Sequence, residues 1–169
     1  MNTAQLLEDG FGRVVESVER TLDGLDDAEL THRPAADANS IAWLVWHLTR
    51  VQDDHLADAF DVEQVYTTQG FAQQLGECFA HDPSDTGYGH DAAQVAAVRA
   101  PAELLLEYLT AVHAQTVALV ADVSASDLDR VVDDRWDPPV TLGVRLVSVL
   151  DDDLEHAGQA AYLRGILPQ

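Results

Sequence analysis

The sequence predicts an all-α fold: a single four-helix bundle domain, residues 1–169, with long connections between helices two and three and between helices three and four. Three observations predict it. Four long segments carry apolar residues at a spacing of three to four, which is typical of helices with one buried face. Strand-like alternation is almost absent. The length of 169 residues matches one ordinary domain, and a hydrophobic content of 47% is enough to bury a core.

The first predicted helix runs from about Ala4 to Leu25, and a turn-rich stretch follows it. Its apolar positions recur every three or four residues, at Leu6, Leu7, Phe11, Val14, Val15, Val18 and Leu22. Gly10 and Gly12 weaken its start, because glycine is a poor helix former. The stretch from Asp26 to Asn39 contains Pro34 and is predicted to be irregular.

The second predicted helix runs from Ile41 to about Phe60, with Ser40 as its N-cap. A long polar stretch, Asp61 to Ala100, follows and includes the turn-forming sequence HDPSDTGYGHD. Within it, Gln94 to Val98 is predicted as a short helical turn. Long connections in a compact domain tend to be functional, so we expect this stretch to contribute to a site.

The third and fourth predicted helices are marked by proline and threonine at their starts. Helix three runs from Pro101 to about Asp122, because proline is favoured in the first turn. The irregular segment DLDRVVDDRWDPPV then leads to Thr141, the predicted N-cap of helix four. Helix four runs from Leu142 to Arg164, where Gly165 and Pro168 end it. Four helices of this kind bury their apolar faces best as a bundle.

The charge of the chain excludes several kinds of partner. Nine basic residues, all arginine, stand against 30 acidic residues, which gives a net charge of −21 and a pI near 4.2. Binding to nucleic acid or to an anionic membrane needs a basic surface, so neither is expected. No signal peptide or membrane span is evident, which predicts a cytoplasmic protein whose partners are small molecules, metals or other proteins. Monomer and homodimer both remain open.

Cys78 is the only cysteine of the chain. An intrachain disulfide and a four-thiolate zinc site are therefore excluded. Its neighbour Glu77 is anionic and does not favour a thiolate, so Cys78 is predicted to be an unreactive structural thiol.

Three polar side chains on predicted helices are candidate metal ligands. His47 lies in the apolar run IAWLVWHL of helix two, and Asp152 and His156 are spaced i and i+4 on helix four. At about 100° per residue, the last two lie about 40° apart on one helix face, one turn removed. Two imidazoles and a carboxylate with a position left open are typical of catalytic zinc or a similar divalent ion.

These candidates also have a purely structural interpretation. A lone buried histidine such as His47 is usually a hydrogen-bonded core residue, and the run from Asp151 to Asp153 is usually a solvated helix face. Together with Glu155, however, these acids cover most of the helix circumference, so at least one must face the bundle. A buried carboxylate needs a partner, and a chain without lysine offers few, which favours a bound cation.

Three stretches resemble the DinB-like superfamily of metal-dependent four-helix bundles. They are RPAADANSIAWLVWHLTRVQDDHLAD, DTGYGH and WDPPVTLGVRLVSVLDDDLEHAGQAAYLRG. Within the superfamily, the chain is similar to the branch of mycothiol S-transferases, relatives of mycothiol-dependent maleylpyruvate isomerase. The resemblance extends from about Leu22 to Gly165. It implies that His47, Asp152 and His156 bind a divalent metal, often zinc; aspartate stands where relatives often have histidine or glutamate, which leaves Asp153 as an alternative acidic ligand.

The resemblance also implies a thiol S-transferase activity of the kind used in detoxification. Mycothiol would coordinate the open metal position through sulfur, lose its proton and attack an electrophilic carbon. The sugar portion of the thiol needs polar and aromatic contacts, for which Arg50, Asp54, Tyr88 and Trp136 are the candidates. Other aromatic candidates are Trp46 and Tyr66.

Other interpretations of these residues remain open. Trp43 and Trp46 are alternatively core residues, and Arg50 alternatively pairs with Asp53 or Asp54. A metal-dependent hydrolase or isomerase would use the same site with water in the open position. A non-enzymatic metal-binding bundle would need no substrate contacts at all.

Overall fold

The structure, a computed structural model, describes residues 1–167 and confirms an all-α bundle. Its four long helices are α1 (Thr3–Leu22), α3 (Ile41–Phe60), α7 (Ala102–Val120) and α8 (Leu142–Gly165). They correspond to the predicted helices one to four. Each packs against two others, in the cyclic order α1, α8, α3, α7. Pro168, predicted to end the last helix, lies outside the described residues.

The connections contain short elements. Helix α2 (Asp27–Leu30) lies in the stretch predicted to be irregular, and the long connection after α3 contains α4 (Val65–Thr68), α5 (Phe71–Cys78) and α6 (Ala92–Ala97). Helix α6 lies where a helical turn is predicted. Before α8 come a 3-10 turn (Asp127–Asp129) and two antiparallel strands, β1 (Val131–Asp133) and β2 (Val140–Thr141). These strands are two and three residues long, which is too short to show alternation in the sequence.

Two helix boundaries differ from the sequence prediction. Helix α1 ends at Leu22 rather than Leu25, because Asp23 leaves the helical conformation and Gly24 adopts a φ of +74°. Pro101 is the N-cap of α7 rather than its first helical residue. The predicted caps Ser40 and Thr141 are confirmed, since their side chains accept hydrogen bonds from backbone amides within the first turns of α3 and α8.

Helix α3 lies at the centre of the molecule. Every residue from Ile41 to Asp53 is buried, because α7, α8 and the long connection cover different faces of the helix. The run from Ile41 to Leu48 therefore lacks the solvent-exposed polar face that a surface helix has. Its later turns also contribute Leu56 and Ala59 to a second apolar cluster, with Phe11 of α1 and Leu146 of α8. Within the described residues, no helix is long and apolar enough to cross a bilayer.

Candidate metal centre

His47, Asp152 and His156 meet where α3 packs against α8. One ligand atom from each lies within 4.8 Å of the others. Asp152 and His156 are one turn apart on α8, and Nε2 of His156 lies 3.7 Å from Oδ1 of Asp152. His47 approaches from the facing helix, with its ring centroid 4.9 Å from that of His156. The two helices thus hold two imidazoles and a carboxylate at one point.

Hydrogen bonds at the outer nitrogens orient both imidazole rings. Nδ1 of His47 lies 2.5 Å from the carbonyl oxygen of Thr86, and Nδ1 of His156 lies 3.1 Å from Oε1 of Gln159. Both oxygens are acceptors only, so each Nδ1 donates, and in the neutral form of each ring Nε2 is the nitrogen left free to bind a metal. Burial lowers the pKa of His47, which keeps the ring neutral and able to bind a metal. Histidines that bind a metal typically donate their other ring nitrogen to an oxygen in this way.

The carboxylate of Asp152 fits a bound cation. Its Oδ2 is buried and finds no hydrogen-bond donor in the described chain. An unpartnered buried carboxylate oxygen is costly, and a divalent ion would compensate it. Asp153, the alternative acidic ligand, is fully buried in the bundle and stands apart from the two histidines. Burial raises the pKa of Asp153 well above its usual range, which favours the neutral acid there.

A tight loop, residues 85–90 of the long connection, covers His47. Oδ1 of Asp85 accepts from the Gly87 amide at 2.8 Å, and Oδ2 of Asp85 lies 2.6 Å from Nε2 of His90. Nδ1 of His90 accepts from the indole of Trp43, which stacks on His47 with ring centroids 4.5 Å apart. These hydrogen bonds and the ring stacking hold the loop against α3. They also hold the Thr86 carbonyl against His47.

A cavity of about 580 Å³ opens beside the three candidate ligands. His47 and Asp152 form part of its wall, so a metal bound there would face the cavity. The wall also contains four valines, two aromatic residues and the guanidinium of Arg145: Val51, Val140, Val144, Val149, Tyr88, Trp136 and Arg145. A volume of this size is in the range of small-molecule sites, roughly 300–1,000 Å³.

The residues predicted to contact the thiol differ in whether they line the cavity. Tyr88 and Trp136 are exposed at this cavity. Asp54 accepts a hydrogen bond from Gln64 at 2.8 Å and lines a neighbouring groove instead. Trp46 and Tyr66 are 0% exposed and belong to the core.

Arg50, predicted to contact the thiol, is buried and does not line the cavity. Its side chain is 0% exposed, and its Nη1 donates to Tyr108 and Gln64 at 3.0 Å each. The guanidinium also lies 3.6 Å from Asp53, so the alternative interpretation of a structural ion pair is confirmed. Helix α3 is covered by other elements on every side around Arg50. The spacing of residues in the sequence does not reveal this burial.

Sequence reasoning missed the residues that support the site. Thr86 and Gly87 contact His47 from a loop, and Arg145 forms part of the cavity wall. The available signal was the concentration of turn formers around DTGYGH in an unusually long connection. Cys78 lies outside the cavity, and burial together with Glu77 raises the pKa of its thiol.

Comparisons with known proteins agree with this architecture. The sequence profile of the family described as mycothiol-S-transferase matches residues 6–169. A solved structure of a conserved protein from Enterococcus faecalis is 33% identical, with a TM-score of 0.83, over 97% of this chain and 96% of that one. No curated protein matches the sequence significantly. The chain therefore belongs to the mycothiol S-transferase family of DinB-like proteins.

Proposed function

We propose that the protein is a divalent-metal-dependent S-transferase that activates mycothiol for attack on electrophilic substrates. The observation that carries the proposal is the convergence of His47, Asp152 and His156, whose ligand atoms lie within 4.8 Å of one another beside an open cavity. Three protein ligands leave a position open for a further ligand, as catalytic rather than structural sites do. Family membership supports mycothiol as the thiol.

The residues of the chain have distinct roles in this proposal. Nε2 of His47, Nε2 of His156 and the carboxylate of Asp152 would hold the ion, for which we propose zinc. A bound cation lowers the pKa of a coordinated thiol, so a thiolate is available at neutral pH. Thr86 and Gln159 keep both imidazoles in the tautomer that binds metal. The protein needs no nucleophile of its own, because it supplies binding and orientation.

Further parts of the proposal concern the thiol and its location. Tyr88 and Trp136 line the cavity and are proposed to contact the bound substrates. Asp54 is proposed to reach the sugar portion of the thiol from its neighbouring groove, which shares His55 with the cavity. We place the activity in the cytoplasm, where low-molecular-weight thiols stay reduced.

The metal dependence can be tested with two neighbouring aspartates. Asp152→Asn and His156→Ala should lose the tightly bound ion and the conjugation of mycothiol, because each removes one of three ligands. Asp151→Asn is the matched control, since Asp151 is exposed one residue away and outside the ligand group. Metal content after dialysis and the rate of conjugate formation by mass spectrometry are the measurements. The control is essential because the chain has 30 acidic residues that bind cations weakly.

Several results would contradict the proposal. Conjugation by His156→Ala at the wild-type rate would eliminate the metal mechanism. Turnover that is independent of mycothiol would instead indicate a hydrolase or isomerase with bound water in the open position. Full metal loading with no turnover of any electrophile would indicate a non-enzymatic bundle.

A further inference from the structure

The geometry points to a binding site for the electrophile in the cavity beside the metal ligands, and to an uncharged, apolar, ring-containing molecule as its occupant. We call this site the valine cavity, defined by Val51, Val140, Val144 and Val149. The inference rests on the proposed function, because it identifies the second substrate of that reaction. Its evidence comes from the wall of the cavity and from the charge balance at the metal ligands.

The valines form a continuous apolar wall next to the metal group. Val149 and Val51 are 1% and 8% exposed and form the floor, where they also pack into the protein. Val144 is 53% exposed and Val140 half-buried, so they line the sides of the opening. Trp136 lies at the mouth, where its indole offers a flat face to a ring. Apolar walls favour apolar ligands because contact removes both surfaces from water.

The guanidinium of Arg145 in the wall already has two partners. Nη1 of Arg145 donates to Nδ1 of His55 at 2.8 Å, and Nη2 of Arg145 donates to Asp133 at 3.2 Å. Nε of Arg145 has no acceptor, but it is buried and does not reach the cavity surface. The Thr86 carbonyl is occupied by His47. The cationic side chain of the wall is therefore already engaged within the protein, which disfavours recognition of an anionic substrate.

The charges at the metal group lead to the same conclusion. Neutral histidine ligands would add no charge, and Asp152 and one thiolate would balance the charge of a divalent ion. A balanced centre exerts little net attraction on a charged substrate. Selection among electrophiles then depends on shape and apolar contact with the cavity wall. That is the basis for expecting a neutral molecule.

Chlorodinitrobenzene is a suitable probe of this chemistry. The thiolate sulfur forms a bond to the ring carbon that carries chlorine, and the carbon–chlorine bond breaks with chloride taking the electron pair. The thiol proton goes to solvent. Iodoacetamide undergoes the analogous displacement of iodide but is small and has no ring, so it serves as the reference electrophile.

The test compares two valines on α8. Val144→Trp narrows the cavity, whereas Val147→Trp places the same side chain on the same helix at a site that is 67% exposed and outside the cavity. Both are made with Cys78→Ser to prevent alkylation of the protein. We expect Val144→Trp to raise KM for chlorodinitrobenzene about tenfold or more, the usual effect of mismatched apolar contact. Zinc content should stay at the Val147→Trp level, and iodoacetamide conjugation should change far less than conjugation of the aromatic probe.

The outcomes separate the two hypotheses. If iodoacetamide is not conjugated by the unmodified protein with zinc and mycothiol, the proposed function fails. If iodoacetamide is conjugated but Val144→Trp and Val147→Trp have the same KM for chlorodinitrobenzene, the valine cavity is not the electrophile site. Trp136→Ala, at an exposed position, provides a second test and should also raise KM for the aromatic probe. Preference for a carboxylated analogue over the neutral ring would overturn the expected substrate class.

Discussion

At the scale of single residues, the contact between the loop and His47 depends on a glycine. Gly87 has a φ of +90°, and a Cβ built on it would lie 2.9 Å from Nδ1 of His47 and 2.9 Å from the Trp46 ring. Only glycine leaves room for the backbone to approach this closely. The Thr86 carbonyl can therefore reach His47 and fix the orientation of its ring, which leaves Nε2 directed at the other two candidate ligands.

Gly87→Ala should weaken zinc binding about 10- to 100-fold, the range found for residues that orient metal ligands. The added methyl group pushes the loop away from His47 and removes the hydrogen bond from Thr86. Gly89→Ala is the matched control, because Gly89 has a similar φ of +77° but no atom within 4 Å of an added Cβ. Zinc affinity measured by competition with a chelator distinguishes them. Equal losses in both variants would attribute the effect to backbone strain alone.

At the scale of elements, Arg50 holds the long connection against the bundle. From α3, it donates to Tyr108 of α7, to Gln64 before α4, and through Nε to the backbone carbonyl of Asp85 at 3.2 Å. Asp53 on the same helix accepts from the amide groups that begin α4. This buried pair links α3, α7 and the loop over the metal group. The connection is therefore an ordered part of the site rather than a loose linker.

Arg50→Met should destabilise the protein by about 3 kcal/mol, because it removes one partner of a buried ion pair. Urea unfolding measures this loss as a change in the free energy of unfolding. Arg13→Met is the control, since Arg13 pairs with Asp9 on the surface with its side chain 69% exposed. Surface ion pairs contribute little, so this variant should unfold as the wild type does. Equal stability of the two variants would contradict a structural role for Arg50.

At the scale of the whole molecule, net charge dominates the electrostatics. Thirty acidic residues and nine basic ones leave a charge of −21. Mutual repulsion of the carboxylates opposes the compact state, and few arginines are present to offset it. The loop between β1 and β2 shows one local compensation, in which Arg135 donates to both oxygens of Asp133 at 2.8 Å. Such pairs neutralise only a small part of the excess charge.

Thermal stability should therefore rise with salt. Raising sodium chloride from about 0.05 to 0.5 M shortens the Debye length to a few ångströms and screens the repulsion. We expect a higher Tm at the higher salt, measured by circular dichroism on metal-free protein so that metal binding does not contribute. A lower Tm would mean that attractive ion pairs outweigh repulsion.

The sequence by itself determined the helices, and through them much of the site. Apolar spacing and the N-caps Ser40 and Thr141 predicted α3 and α8, because helix periodicity is a local property of the chain. The same periodicity placed Asp152 and His156 on one face. His47 in the apolar run of the second predicted helix was the candidate partner, and the resemblance implied the same three ligands. These results need no knowledge of how the helices pack.

Only the tertiary structure decided which groups meet. It placed His47 against α8, selected Asp152 over Asp153 as the neighbour of the histidines, and buried Arg50, which was predicted to contact the thiol. It also brought Thr86 to His47 across a separation of 39 residues. Contacts of this kind depend on the rotation of one helix against another and on the path of a loop. Neither is encoded in the spacing of residues along a single helix.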